Sequence, residues 1–213
     1  QNLEDLVNVE ETVEFIEGHV PITYNKKVQS VISYYKKQGK TYIQQWLNRE
    51  KKFKEVMLPI LKEEGLPLEL FYIPMIESGL RTDAKSFASA VGPWQFIAST
   101  GKAYGLNKTF YIDERRDFEK STRAAAKYLK HLYNEFGDWY LAFAAYNCGP
   151  LRVKRAIKRQ GTRDYWKLTR LPAQTRNYVP NIMAAIFIAN NPEKYGFAQI
   201  KEKNMEWNVI EID

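Results

Sequence analysis

Cysteine is almost absent from this sequence: Cys148 is the only one in 213 residues. An intramolecular disulfide is impossible, and neither a Cys-x-x-Cys redox motif nor a cysteine zinc site can be built. Histidine is nearly as scarce, with only His19 and His131, so no His-rich metal site is expected, and no cofactor. No run of 18 apolar residues occurs, so no segment has the length to span a bilayer as a helix. A signal-peptide pattern is also missing. The chain begins with Gln1 rather than Met, which reads as a mature or truncated form; a removed export signal or lipid anchor would not be visible in it. There is no internal repeat and no low-complexity segment.

What is present is apolar and aromatic. Hydrophobic residues make up 45% of the chain and aromatics 14%, including 14 Tyr and 5 Trp. That suffices for one large domain, or a domain with an added subdomain. Tyr and Trp also line sugar and peptide clefts, having an apolar face and a polar tip. The net charge of +7 and the pI near 9.3 favour anionic partners such as cell-wall polymers, anionic membranes or nucleic acid. The densest basic run, Arg152, Lys154, Arg155, Lys158 and Arg159, reads most simply as one solvated helix face. A nucleic-acid binder needs clustered cations with interleaved aromatics. The spread of Lys and Arg argues against that class, so no nucleic-acid partner is expected.

Residues 1–25 are acidic, loosely patterned and expected to form an extended or partly ordered arm. Helices are expected over Lys26–Lys37 and Lys40–Glu64. In the second, Tyr42, Trp46, Phe53, Met57, Ile60 and Leu61 share one stripe. Pro67 suits the first turn of a third helix, with Gly79 as its stop and Pro74 kinking it or lying in its early turns. Residues 80–98 read as an ordered loop, since Trp94, Phe96 and Ile97 interleave its small residues. Further helices are expected from Phe118 to Phe136, from Trp139 (capped by Asp138) to Gly149-Pro150, over Leu151–Gln160 and over Gln174–Asn190. Trp207, Val209 and Ile212 suggest one edge strand in the tail. The fold class is therefore all-α, with at most a minor β element.

Glu77 is the candidate for chemistry. The seven residues before it, Leu70-Phe71-Tyr72-Ile73-Pro74-Met75-Ile76, are apolar or aromatic apart from Pro74. Burial raises a carboxyl pKa, and an acid still protonated near neutrality can protonate a leaving group. The plainer alternative is a satisfied buried Glu or an exposed helix end. Three more segments put polar side chains at apolar borders: Gly92-Pro93-Trp94-Gln95-Phe96, Tyr146-Asn147-Cys148-Gly149-Pro150 and Gln174-Thr175-Arg176-Asn177-Tyr178-Val179. Singly, Gln95 could be a core amide, Tyr146 and Asn147 a helix end, and Tyr178 ordinary core.

Together and in this order they resemble the catalytic domain of family-1 lytic transglycosylases, lysozyme-like enzymes that cleave peptidoglycan glycan strands. The shared pattern is Glu77-Ser78, then Gly92-Pro93-Trp94-Gln95, then Tyr146-Asn147-Cys148-Gly149, then the late Tyr178. The resemblance covers about residues 66–195. It implies a lysozyme-like catalytic domain over 66–195, preceded by an arm and helical extension over 1–65 and followed by a packed tail over 196–213. Val20-Pro21-Ile22-Thr23-Tyr24 and the Trp46 helix resemble the segment preceding this domain in a membrane-bound subgroup. Cys148 departs from the small Ala or Ser usual at its position and reads as a structural thiol, since no His in that motif can activate it.

Glycosidases of the usual kind need two carboxylates. Glu69, Asp83 and Asp113 are candidates for the second; on a regular helix Glu69 would lie about 12 Å from Glu77 along the axis. The resemblance implies that none is needed. One Glu serves as acid and then base, while the muramyl 6-hydroxyl attacks its own anomeric carbon, so proximity replaces the second carboxylate. It further implies that Ser86 contacts a muramyl N-acetyl group or the Glu. Gln95 would bond substrate, Tyr146 hold the Glu carboxyl, Asn147 bond an N-acetyl group or local backbone, and Tyr178 line the cleft. Peptidoglycan strands are then the expected partner and the periplasm or outer-membrane face the expected location. Membrane anchoring through a removed N-terminal segment and a monomeric state are also expected. A hydrolytic goose-type muramidase and a non-catalytic peptidoglycan-binding protein are the alternatives.

Overall fold

Asn25 starts the first helix because its side-chain oxygen accepts from the free backbone N–H groups of Lys27 and Val28, at 3.0 and 3.1 Å. The computed structural model describes residues 19–198. Within them α1 covers Lys26–Lys37, α2 Lys40–Glu63, α3 Tyr72–Ser78, α4 Ala98–Ala103, α5 Phe118–Phe136, α6 Trp139–Cys148, α7 Pro150–Gln160 and α8 Ala173–Asn190. Asp117 and Asp138 cap α5 and α6 as Asn25 caps α1, each accepting from a backbone N–H three residues on at 2.8 Å. No strand occurs among the described residues. The minor β element consists of the isolated bridges Lys85↔Val91, Val91↔Phe96 and Lys108↔Asp113. The all-α expectation therefore holds among the described residues. The proposed tail strand at Trp207, Val209 and Ile212, and most of the N-terminal arm, lie outside the described residues.

α6 and α8 form the interior. Every residue of α6 from Trp139 to Ala145 is buried, as expected of a helix apolar on all sides. α8 packs on α1, α3 and α6, while α5 packs on both α2 and α6. One continuous apolar core runs from Val20 to Phe197 and takes in Leu47, Met57 and Leu61 of α2. The described end of the arm is tied down: Thr23 Oγ1 lies 2.7 Å from Tyr140 Oη, and Tyr24 meets Phe187 edge-to-face.

Two elements differ from expectation. The helix expected from Pro67 onward is split into a 3-10 turn, Leu68–Phe71, and α3. Pro74 has no N–H to offer the carbonyl of Leu70, so a regular i→i−4 ladder cannot pass through this point. α4 begins at the end of the 80–98 loop, where the sequence carries no helical pattern. Its residues, Ala-Ser-Thr-Gly-Lys-Ala, have no apolar period, and its one buried residue, Gly101, sits against the side chain of Arg115. α7 and α8 also begin one residue earlier than expected, α7 with Pro150 at its first position.

Candidate active site

Glu77 is the penultimate residue of α3, and the end of that helix is held from three sides. Gly79 takes the left-handed conformation (φ 61°, ψ 33°) that closes the helix. A Cβ there would stand 2.5 Å from the indole nitrogen of Trp46, so α2 approaches too closely for any side chain. Arg49, one turn further along α2, donates from Nη1 to the Gly79 carbonyl at 2.9 Å. Ser78 Oγ lies 3.0 Å from the Pro74 carbonyl and 2.8 Å from that of Pro93, joining α3 to the following loop.

That loop is anchored by Trp94, which is fully buried and donates from its indole N–H to Thr122 Oγ1 at 2.9 Å. Gly92 (φ 82°) crosses the Arg115 backbone so closely that a Cβ would lie 1.8 Å from the Arg115 carbonyl oxygen. Leu80, Ser89 and Gln95, the non-glycine residues with positive φ among those described, all fall in this one segment. Such conformations cost of order 1–3 kcal/mol each and persist where the surroundings over-determine them, often at functional sites.

The result is a cleft of about 420 Å³ whose lining includes Tyr42, Trp46 and Arg49 from α2, Glu77, Ser86 and Gln95. Among the described residues Glu77 is its only lining carboxylate. Tyr178 Oη donates to Glu77 Oε1 at 2.5 Å, leaving Oε2 without a partner among the described residues. Burial pushes the Glu77 carboxyl up to about 7, against the opposing pull of that hydrogen bond. Burial and the nearby Glu77 charge hold the hydroxyls of Tyr146 and Tyr178 well above their ordinary range, so both stay neutral.

The other expected site residues divide. Ser86 and Gln95 line the cleft. Gln95 donates from Nε2 to the Gly92 carbonyl at 2.8 Å, and Ser86 Oγ accepts from the Ala90 N–H at 3.1 Å. Tyr146 does not hold the Glu77 carboxyl as expected: its hydroxyl donates to the Trp94 carbonyl at 2.7 Å, and Tyr178 makes the bond to Glu77 instead. Asn147 lies outside the cleft lining, with its Oδ1 accepting from Thr175 Oγ1 at 2.8 Å. Burial raises the Cys148 thiol, which keeps it protonated.

The candidates for a second carboxylate are all engaged elsewhere. Glu69 bonds His19 Nδ1 at 3.0 Å, Asp83 is forked to Arg81 at 2.8 and 2.9 Å, and Asp113 to Arg115 at 2.6 and 2.8 Å. Their guanidinium partners hold Asp83 and Asp113 below the usual carboxylate range. Among the described residues no cluster of His, Cys, Asp and Glu could hold a metal ion. The α2 wall escapes the sequence reading, in which Trp46 belongs to a core stripe. The available signal is Arg49, a cation placed among the apolar residues of that stripe.

A cleft with one partly buried, hydrogen-bonded acid on a lysozyme-like helical frame belongs to a recognisable class. The family model described as "Transglycosylase SLT domain" matches residues 59–169, over half of the chain, and the chain belongs to that family. Among its relatives is the membrane-bound lytic murein transglycosylase D of Escherichia coli K12. That protein is 43% identical over 141 residues, which are 64% of this chain and 31% of the relative. The chain thus spans about a third of that protein's length. A putative tributyltin chloride resistance protein of Alteromonas is 40% identical over 98 residues, covering 46% of this chain and 47% of its own. Of solved structures, an inactive mutant of lytic transglycosylase Slt from Pseudomonas aeruginosa is 27% identical with a TM-score of 0.55, over 67% of this chain and 24% of its own. The 70 kDa soluble lytic transglycosylase of Escherichia coli, 20% identical over 82% of this chain and 32% of its own with a TM-score of 0.54, shares the fold.

Proposed function

We propose that this chain is a peptidoglycan lytic transglycosylase cutting the β-1,4 bond between N-acetylmuramic acid and N-acetylglucosamine without water. The observation that carries the reading is Glu77: a lone cleft carboxylate, raised to about 7 and oriented by Tyr178. Protonated Glu77 gives its proton to the glycosidic oxygen as the C1–O bond breaks. The Glu77 carboxylate then takes the proton of the muramyl 6-hydroxyl while O6 bonds to C1. The product is a 1,6-anhydromuramyl end, and the acid is restored. Because the nucleophile belongs to the sugar itself, no second carboxylate has to activate a water.

Ser86 and Gln95, as cleft-lining polar groups, bind the glycan in this reading. Tyr178 tunes and orients Glu77. Tyr146 and Asn147 act through the loop and helix ends they fix. The cleft is lined from a single chain, so a monomer suffices. The substrate puts the protein in the cell envelope, in the periplasm or at the outer membrane, where it remodels or turns over the wall. No helix among the described residues is long and apolar enough to cross a membrane, so membrane association would come from some other element.

Mass spectrometry of muropeptides released from purified sacculi tests reaction and catalyst together. Wild type should release anhydromuramyl ends and Glu77→Gln essentially none. Reducing ends alone would make the protein a hydrolytic muramidase, and no release by wild type would favour a binding role.

A further inference from the structure

The cleft carries more positive charge than the bond-breaking steps use. Arg49, Arg81 and Lys85 all line it, against Glu77 as the single carboxylate. With Glu77 protonated, the lining has no negative charge of its own. Arg81 is already neutralised by its fork to Asp83. Arg49 has one nitrogen on the Gly79 carbonyl, and a guanidinium offers five N–H donors. The Lys85 side chain has neither a hydrogen-bond nor an ionic partner among the described residues.

The backbone that carries Lys85 is fixed. Lys85 pairs with Val91 in an antiparallel bridge, and the turn beyond it is closed by Ser86 N–H donating to the Ala90 carbonyl at 2.9 Å. A cleft that presents uncompensated cations from a rigid frame attracts an anion. The N-acetyl sugars of a glycan strand are neutral and offer none. The anionic part of such a polymer is its peptide, which leaves from the lactyl group on the same muramyl ring whose C1 is attacked. Glu77 and Lys85 line the same cleft, and an extended peptide advances only about 3.3–3.6 Å per residue, so a carboxylate near the start of the peptide is the anion that Lys85 would meet.

We propose that Lys85, assisted by Arg49, forms an anion subsite for a stem-peptide carboxylate on the muramyl residue being cleaved. The proposal rests on the transglycosylase reading and adds a substrate class to it: strands that still carry charged peptides. An exposed ion pair of this kind changes kcat/KM by about two- to fivefold, and raised salt should shrink the effect.

Two soluble substrates separate the possibilities: native uncross-linked strands, and the same strands with their peptide carboxylates amidated. Wild type should prefer native over amidated strands by about two- to fivefold. Lys85→Gln should bring that ratio close to one, and Lys85→Arg should keep it. Equal cleavage of both substrates by wild type, or an unchanged ratio in Lys85→Gln, overturns the subsite and leaves the transglycosylase reading standing. Failure of wild type to release anhydro ends from either of them overturns that reading, and the subsite with it.

Discussion

Glu77, before the 80–98 loop, and Asp113, beyond α4, are two carboxylates that the protein treats in opposite ways. Asp113 has a guanidinium forked onto it, with Arg115 buried and Asp113 partly so, their side chains 6% and 16% exposed. Arg115 also donates from Nη1 to the carbonyls of Ser89 and Phe96, at 3.2 and 3.0 Å. That carboxylate is held ionised and works as a structural tie. Glu77 is partly buried at the cleft with no cation bonded to it, its one hydrogen-bond partner among the described residues being the neutral hydroxyl of Tyr178. Burial alone favours the protonated acid, while burial with a matched cation favours the anion. The 80–98 loop therefore follows an acid and is tied, through Arg115, to a paired carboxylate, and the presence of a cation decides which is which.

The largest expected effect comes from removing the acid. Glu77→Gln should lower the release of anhydromuramyl products by about a thousandfold or more, measured as initial rates on sacculi, with the fold intact by circular dichroism. Arg115→Ala attacks the tie. Removing the buried guanidinium, which orphans the Ser89 and Phe96 carbonyls as well as Asp113, should destabilise the protein by about 3 kcal/mol, read from urea denaturation. An Arg115→Ala protein of wild-type stability would mean that the two carboxylates do not differ in this way.

The next effect lies in the pH dependence of stability. The folded pKa of Glu77 is about 7, against an ordinary value of 4.5. Between those values the folded chain holds a proton that the unfolded chain releases, so stability falls as pH rises through that window, by up to about 3 kcal/mol. Glu77→Gln should remove the fall, which denaturation at pH 5 and pH 8 would reveal. Asp113 works in the reverse sense: its lowered pKa adds stability that is present above the unfolded value and lost on acidification.

The smallest effect is at Tyr178. Its hydrogen bond favours the ionised Glu77, so Tyr178→Phe should raise the Glu77 pKa further. The alkaline limb of kcat/KM, expected near pH 7 in wild type, should move upward while the peak rate drops about tenfold. A limb that stayed in place would separate Tyr178 from the tuning of the acid.

Local signals make much of the fold legible. Asn25, Asp117 and Asp138 mark the starts of α1, α5 and α6, and Gly79, Gly137 and Gly161 mark ends. α4 is not legible because it is held by tertiary contact of Gly101 with Arg115 rather than by a pattern of its own. In the site, Glu77 stands out by its apolar neighbours. The partner of its carboxyl does not: Tyr146 and Tyr178 both sit at apolar borders in sequence, and the structure gives the bond to Tyr178 because the Tyr146 hydroxyl reaches the Trp94 carbonyl. The α2 wall is hidden for a related reason. A half-buried Trp on an amphipathic stripe reads the same whether its free edge faces core or cleft.

The grip of α2 on Gly79 also bears on how small an active piece of this protein can be. The family match runs over residues 59–169, yet Trp46 and Arg49 precede that stretch and Tyr178 lies beyond it. A fragment trimmed to the matched stretch would retain Glu77 and its loop. It would lose the indole and guanidinium that fix the end of the acid's helix, and the phenol that orients its carboxyl. The working unit is therefore longer at both ends than the stretch by which the family is recognised. A shortened enzyme of this type should keep everything from α1 through α8.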